Sequence, residues 1–288
     1  MRPAAAMDGG SRWALWRDRL LGSPRHPILR HETTYWGQRL GGRWRLEEHF
    51  AGATLINLCL LPVALLVFPW LLVAYTVFDE VLGLLITLPA GLLITRERER
   101  GTWSILRSTP VEARELAASK LAGLLDLVWE GAAYLARARW FGTLLSLPLF
   151  ALMLTLTDPF PFSATQPAWL VLVVLIVTYA AFILRPLLHV LFGGALGLAL
   201  STSTRSQAEV MTLSALVTSA LVALTIGVLI AFVPRHGEAA LFSESVLGAR
   251  LAQVFTWLIP LAAISGLRLV LIPICFALTV WRIGRLSA

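Results

Sequence analysis

Uncharged runs divide the chain. They occupy residues 51–78, 81–95, 140–157, 159–184, 186–204, 210–234, 251–267 and 269–281. A helix needs about 20 apolar residues to cross a hydrocarbon layer roughly 30 Å thick. Within lipid the backbone must satisfy its own hydrogen bonds, so such runs are expected as helices. The first run predicts a span outright. The second is short and is read as starting at Asp79-Glu80, an acidic hairpin between two helices. The third leads to Asp158-Pro-Phe-Pro-Phe162, where prolines stop a helix. Residues 168–200 are interrupted by Arg185-Pro186. One long, kinked helix there gives six spans in all; two half-length helices give about seven. Residues 251–282 leave a similar choice, with a re-entrant piece (251–264) before one span (about 266–281) as one solution. The expected fold is therefore an all-α polytopic membrane protein of about six transmembrane helices.

Charge placement orients these helices. Residues 1–50 hold nine arginines and residues 96–139 hold eight basic residues, whereas the segments near 79 and 158–167 hold none. Basic residues accumulate on the cytoplasmic side, which predicts a cytoplasmic N-terminal segment (1–50) and a cytoplasmic loop (96–139). Residues 51–288 then form a single transmembrane domain. Counting the remaining arginines does not separate six spans from seven. Arg282 and Arg285 directly follow the last apolar run, which favours six and a cytoplasmic C-terminus. Within Ser11–Leu21, Trp13, Trp16 and Leu20 recur at helical spacing beside charged residues, a pattern suited to a helix in the headgroup layer.

The segment Arg96-Glu-Arg-Glu-Arg-Gly-Thr-Trp-Ser-Ile-Leu-Arg-Ser-Thr-Pro-Val-Glu112 is the most informative part of the chain. Gly101 can end the preceding helix in a left-handed cap. A short apolar stretch follows at Trp103, Ile105 and Leu106. Thr109-Pro-Val-Glu112 reads as a capping box, with Thr109 as N-cap, Pro110 first in the helix and Glu112 reaching back. A helix should run from there through Leu116, Lys120 and Leu124. The result is helix, turn and second helix at the membrane border, an element able to receive a push from a docked partner.

Composition narrows the chemistry. The 288 residues are 57% hydrophobic and 14% charged, with mean hydropathy +0.75 and net charge +7. A soluble domain carries nearer a quarter charged residues. Of 24 basic residues only Lys120 is a lysine, and it lies in Ala-Ser-Lys-Leu rather than a glycine-rich phosphate loop. The chain is therefore not expected to bind ATP itself. Cys59 and Cys275 sit in apolar stretches and read as small buried hydrophobes, not a disulfide or metal site. Residues 1–50 lack the apolar run of a signal peptide. His31-Glu32 lacks the second histidine of a zinc helix, Glu47-Glu48-His49 has no partner motif, and neither Ser265 nor any partner of His189 has a nucleophile-elbow setting. The basic charge follows membrane borders rather than an aromatic-laced groove, so no nucleic-acid partner is expected.

Glu97-Arg-Glu-x-Gly101-Thr102, followed by Leu106 and Ser108-Thr-Pro110, resembles the loop of the type-2 ABC exporter permeases, the membrane subunits of ATP-binding-cassette exporters. Leu198-Ala-Leu-Ser-Thr-Ser-Thr-Arg-Ser-Gln207 is similar to that family's short turn between helices four and five. Pro27-Ile-Leu-Arg-His-Glu32 resembles its entry to the first helix. The likeness covers the layout of most of the chain and about 25 motif residues. Residues 121–139 are longer and more polar than the family's entry into helix three, and 238–265 match its outer region poorly. The resemblance implies an N-terminal interfacial helix, a cytoplasmic coupling helix between helices two and three, and a multi-pass subunit of the cell membrane. It also implies a second permease copy or homologue and an ABC ATPase subunit that binds the ATP, so the chain needs no cofactor. By the same carry-over Glu97, Arg98, Glu99, Gly101, Thr102, Leu106, Thr109, Pro110 and Glu112 shape the ATPase-docking element, flanked by Arg114 and Glu115. The rival expectations are a polytopic membrane enzyme, which needs converging acid, base or metal groups inside the bilayer, and a non-transporting scaffold or sensor.

Other residues have two readings each. Arg185 and His189, one turn apart in an apolar stretch, are either a functional pair or snorkelling border residues. Arg268 reads as a border residue too. Asp79 and Glu80 either gate an outer opening or belong to a solvated hairpin. Gly193 and Gly197 have the spacing that lets two helices approach closely.

Overall fold

A computed structural model describes residues 28, 31–35, 71–108, 111–156, 168–241 and 246–287. Beside the helical stretch 31–35, the described chain forms six helices: α1 (Leu71–Glu99), α2 (Trp103–Ser108), α3 (Ala113–Leu156), α4 (Ala168–Ser203), α5 (Gln207–Leu241) and α6 (Val246–Ser287). No strand occurs among the described residues. Four segments are long and apolar enough to cross a membrane: Ala74–Glu99, Ile176–Ser203, Gln207–Ala231 and Leu258–Arg285. The outside of the bundle is correspondingly apolar, with Phe78, Val81, Ile176, Val177, Leu216, Leu224, Leu267 and Leu269 exposed. Exposed residues of this kind suit lipid rather than water.

One expectation changes and two open choices are resolved. Asp79 and Glu80 do not form a hairpin; α1 runs straight through them. The stretch Thr76-Val-Phe-Asp-Glu-Val-Leu82 contains no Gly, Pro or Asn to make a turn, and both carboxylates find cations inside the bundle. The expected division between the first two spans is thus absent from 71–99, and the residues before Leu71 back to 36 lie outside the described ones. Residues 168–203 form one helix with Pro186 inside it, not two half-helices. Residues 246–287 are also one helix, with Pro260 and Pro273 inside, so no re-entrant piece forms there. Their apolar surroundings offer freed carbonyls no water, which favours keeping every other helical bond. The Ser11–Leu21 helix and Cys59 lie outside the described residues.

The expected turn after α1 is present. Arg100 N donates to the Arg96 carbonyl at 3.1 Å and Gly101 N to the Arg98 carbonyl at 3.2 Å, with Gly101 at φ +72°. That left-handed geometry is strained for any side chain. The next boundary moves. Val111 and Glu112 are not helical, and α3 begins at Ala113 with Leu116 N donating to the Glu112 carbonyl at 2.9 Å. A helix starting at Pro110 would leave one residue between α2 and α3, too few to reverse the chain. From Ala113 to Leu156 the helix is unbroken, so the polar 113–139 and the apolar 140–156 belong to one element.

Side-chain pairings fix the directions. Lys120 meets Glu97 while Arg139 meets Asp79, so α3 is antiparallel to α1. Arg185 meets Asp79 while Ser201 meets Thr95, so α4 is parallel to α1. Arg268 meets His189 and Arg282 meets Ser203, so α6 is parallel to α4. Gln207 meets Glu99 while Ser214 lies against Gly91, so α5 is antiparallel to α1. The core joins Ile86, Ala90, Leu93 and Ile94 of α1 to Trp103, Leu116, Leu124, Val190, Leu198 and Ile283. The Gly193/Gly197 spacing serves the seam between α1 and α4. A Cβ at Gly197 would lie 2.4 Å from the Thr87 carbonyl oxygen, and one at Gly193 would lie 2.7 Å from that of Gly83. Small residues on both helices let the backbones touch.

Candidate functional site

Two buried ionic layers cross this bundle. The deeper one gathers Asp79 and Glu80 from α1, Arg139 from α3, Arg185 and His189 from α4, and Arg268 from α6; all are buried. Arg139 grips Asp79 with both terminal nitrogens, Nη1 to Oδ2 at 3.0 Å and Nη2 to Oδ1 at 2.6 Å. Arg185 lies between the two acids, with Nε 3.1 Å from Asp79 Oδ2 and Nη2 donating to Glu80 Oε1 at 3.2 Å. Arg268 Nη2 holds Glu80 at 2.7 and 2.8 Å and lies 3.4 Å from Thr225 Oγ1. His189 Nδ1 bonds the Arg185 carbonyl at 2.9 Å. A carbonyl only accepts, so Nδ1 carries the proton; Nε2 faces both Arg268 Nη1 and, at 3.3 Å, Glu80 Oε1.

Local sequence explains why the layer forms here. Pro186 has no N–H, which leaves the Phe182 carbonyl without its helical donor. Arg139 Nη1 supplies one at 3.2 Å. The same guanidinium lies over the Phe182 and Tyr75 rings, 4.9 and 5.4 Å from their centroids. A proline, two aromatic rings and a carboxylate thus hold one arginine between α1, α3 and α4. Charged side chains at such depth are costly unless paired, and the pairing is incomplete. Among the described residues three guanidiniums face two carboxylates. Arg185 Nη1 and Nε and Arg139 Nε make no hydrogen bond, and neither does the buried Tyr75 hydroxyl. Each buried polar group left without a hydrogen bond costs about 1–3 kcal/mol.

The second layer lies where α1 turns into α2. Glu32, from the stretch 31–35, accepts from Lys120 Nζ at 2.7 Å and lies 3.5 Å from Arg96 Nη2. Glu97 accepts from Arg96 at 3.1 Å and from Lys120 at 3.5 Å, and its other oxygen bonds the Thr102 hydroxyl. Arg96 also lies 3.8 Å over the Tyr35 ring. Among the described residues, two cations, Arg96 and Lys120, meet two carboxylates here. Around this network, Ser201 Oγ accepts from Ile94 N at 2.9 Å and Thr95 N at 3.0 Å. Arg98 donates to the Thr204 carbonyl at 2.8 Å, and Glu99 accepts from Gln207. Ser206 Oγ caps α5 by accepting from Glu209 N at 3.2 Å, while Glu209 accepts from Arg205 N at 2.8 Å.

The docking residues expected from sequence therefore divide. Glu97 is buried, and Thr102 and Leu106 are half-buried, so these three brace the turn from within. Arg98 and Glu99 tie it to the start of α5. Gly101 and Glu112 are exposed, while Thr109 and Pro110 lie outside the described residues. Trp103 anchors α2 in the core, whereas Ile105 points away and is 65% exposed. Sequence reading missed Lys120 as the cation between Glu32 and Glu97, and Arg139 as the partner of Asp79. It also missed the Ser206–Glu209 box, whose S-x-x-E spacing was visible. His189 and Arg185 prove to be core residues rather than border residues.

No protein-family model, curated protein or solved structure matches this chain.

Proposed function

We propose that this chain is the membrane-spanning permease subunit of an ATP-binding-cassette exporter, and that a separate ATPase docks on the α1–α2–α3 elbow. The observation that carries the reading is α2 itself. It is a six-residue helix at the end of three long helices, anchored inward by Trp103 and presenting Ile105 outward. Beneath it lies the network of Glu32, Arg96, Glu97 and Lys120. A docking helix that drives distant helices must be joined to them, and Trp103 packs this one into the shared core. Arg96, Arg98, Arg100, Arg114, Lys120, Arg205, Arg282 and Arg285 cluster at the same end of the bundle. That supports a cytoplasmic elbow, about six spans and cytoplasmic termini. Paired permease copies then close around a substrate path, and ATP-driven closure of the ATPases moves the helices as rigid bodies.

Affinity purification from native membranes in mild detergent tests this reading. A stoichiometric subunit bearing a Walker-type lysine loop is the expected partner, and Ile105→Glu should lose it while the permease still inserts. Purification without any ATPase, under conditions where exporters stay assembled, refutes it.

One observation favours a second reading. The converging Asp79, Glu80, His189 and arginines are what a membrane enzyme would require. Both carboxylates, however, are occupied by guanidiniums, and Ser265 spends its hydroxyl on the Leu261 carbonyl. The enzyme reading requires that His189→Gln abolish a turnover that survives removal of the ATPase.

A further inference from the structure

We propose that the deeper layer, formed by Asp79, Glu80, Arg139, Arg185 and Arg268, is a binding site for one oxyanion group, a phosphate ester or carboxylate, at membrane depth. The first argument is charge. Among the described residues three guanidiniums meet two carboxylates, and the imidazole between them adds no negative charge. One positive charge is left over among buried side chains.

The second argument is unmet donors. Arg185 Nη1 and Arg139 Nε have no hydrogen-bond partner, although both side chains are only 1% exposed. Tyr75, one turn before Asp79, adds a third buried group of the same kind. Guanidinium N–H groups in a fixed plane are the donors best matched to an oxyanion. A single negative charge placed there neutralises the layer and satisfies its donors together.

The third argument is approach. On α6, Arg268 is buried while Leu267, Leu269 and Val270 are exposed, so a single helix separates the layer from the outside of the bundle. A lipid headgroup and a soluble oxyanion share the required chemistry. The site stands whether or not an ATPase docks on the elbow, because none of its residues touches α2.

The test uses the purified full chain in nanodiscs, with unfolding followed by tryptophan fluorescence. The probes are phosphatidylglycerol doped into phosphatidylcholine, and inorganic phosphate added to phosphatidylcholine discs. Phosphatidylcholine alone is the reference, since its ammonium brings a cation of its own. A stabilising, saturable shift with either probe is expected. A lipid-only response assigns the headgroup source, and a phosphate response assigns the soluble one. Arg185→Gln leaves two guanidiniums on two carboxylates, so apparent affinity should fall at least tenfold. Asp79→Asn leaves an excess of two, so anion dependence should strengthen. Absence of any shift in the natural sequence, or an equal shift in Arg185→Gln, overturns the proposal. If Arg185→Gln does not fold, Asp79→Asn decides: anion dependence no stronger than that of the natural sequence overturns it.

Discussion

Replacing Gly197 by alanine tests the seam on which both layers depend. The added Cβ would sit 2.4 Å from the Thr87 carbonyl oxygen, 2.6 Å from Ala90 Cβ and 2.9 Å from Gly91 N. Two of these are backbone atoms and cannot swing aside. Carbon atoms rest at about 3.5–4.0 Å, so α1 and α4 must part by about 1 Å. Forced overpacking costs about 1–3 kcal/mol. One turn further on, Ser201 Oγ bonds Ile94 N at 2.9 Å and Thr95 N at 3.0 Å, and the same parting would stretch both. Each such bond contributes about 1 kcal/mol. Alanine returns about 1 kcal/mol through helix propensity. The net loss is about 2–4 kcal/mol.

Gly227 is the internal control, because a Cβ there meets nothing within 4 Å. Gly227→Ala should be neutral or stabilising by up to about 1 kcal/mol. SDS titration in mixed micelles, read by tryptophan fluorescence, compares the two. If Gly197→Ala unfolds at the same SDS fraction as Gly227→Ala, the close backbone contact is not what holds α1 to α4, and the seam argument fails.

Three further substitutions probe the layers. Glu97→Gln leaves Lys120 and Arg96 sharing Glu32 alone and should cost about 3 kcal/mol, while Glu99→Gln, exposed, should cost under about 1 kcal/mol; equal losses in the SDS titration would contradict the burial of Glu97. Pro186→Ala restores an N–H for the Phe182 carbonyl, so Arg139→Gln should cost about 1 kcal/mol less in that background. A double-mutant cycle reads this directly, and strict additivity would rule out the compensation. Trp103→Ala removes the anchor of α2 and should cost about 3–5 kcal/mol, whereas Ile105→Ala should be nearly silent; limited proteolysis at the elbow reports both.

Legibility followed the range of the forces. Gly101 was readable because a left-handed cap is set by its own neighbours. Gly193 and Gly197 were readable as a close-approach face because the spacing lies within one helix. Asp79 and Glu80 were misread because their partners lie on other helices, 60 residues away in Arg139 and 188 in Arg268. Locally, two adjacent acids after an apolar run look like a turn. Only the absence of turn residues argued otherwise, together with three arginines in apolar stretches that needed acids. Thr109-Pro-Val-Glu112 offered a sound capping box, but the length of chain required to reverse between α2 and α3 moved the start of α3 to Ala113. Lys120 carried a signal in its rarity, the one lysine in the chain, yet nothing local named Glu32 as its partner.

The two layers are joined by a register that does not drift. On α1 and α4, Arg185 and Asp79 differ by 106 positions, as do Ser201 and Thr95, and Thr204 and Arg98. On α4 and α6 the Arg268–His189 and Arg282–Ser203 pairs both differ by 79. From Asp79 to Glu97 along α1 is about 27 Å at 1.5 Å per residue. Three parallel helices therefore keep step over that whole distance. Sliding α1 by one residue would pull both ends of the ladder out of reach together, since a hydrogen bond does not survive a 1.5 Å displacement. Rotation of α1, α4 and α6 as one block costs none of these bonds. A push on α2 would reach the layer at Arg185 by that route, with α3, tied to α1 at Asp79 and at Glu97, carried along.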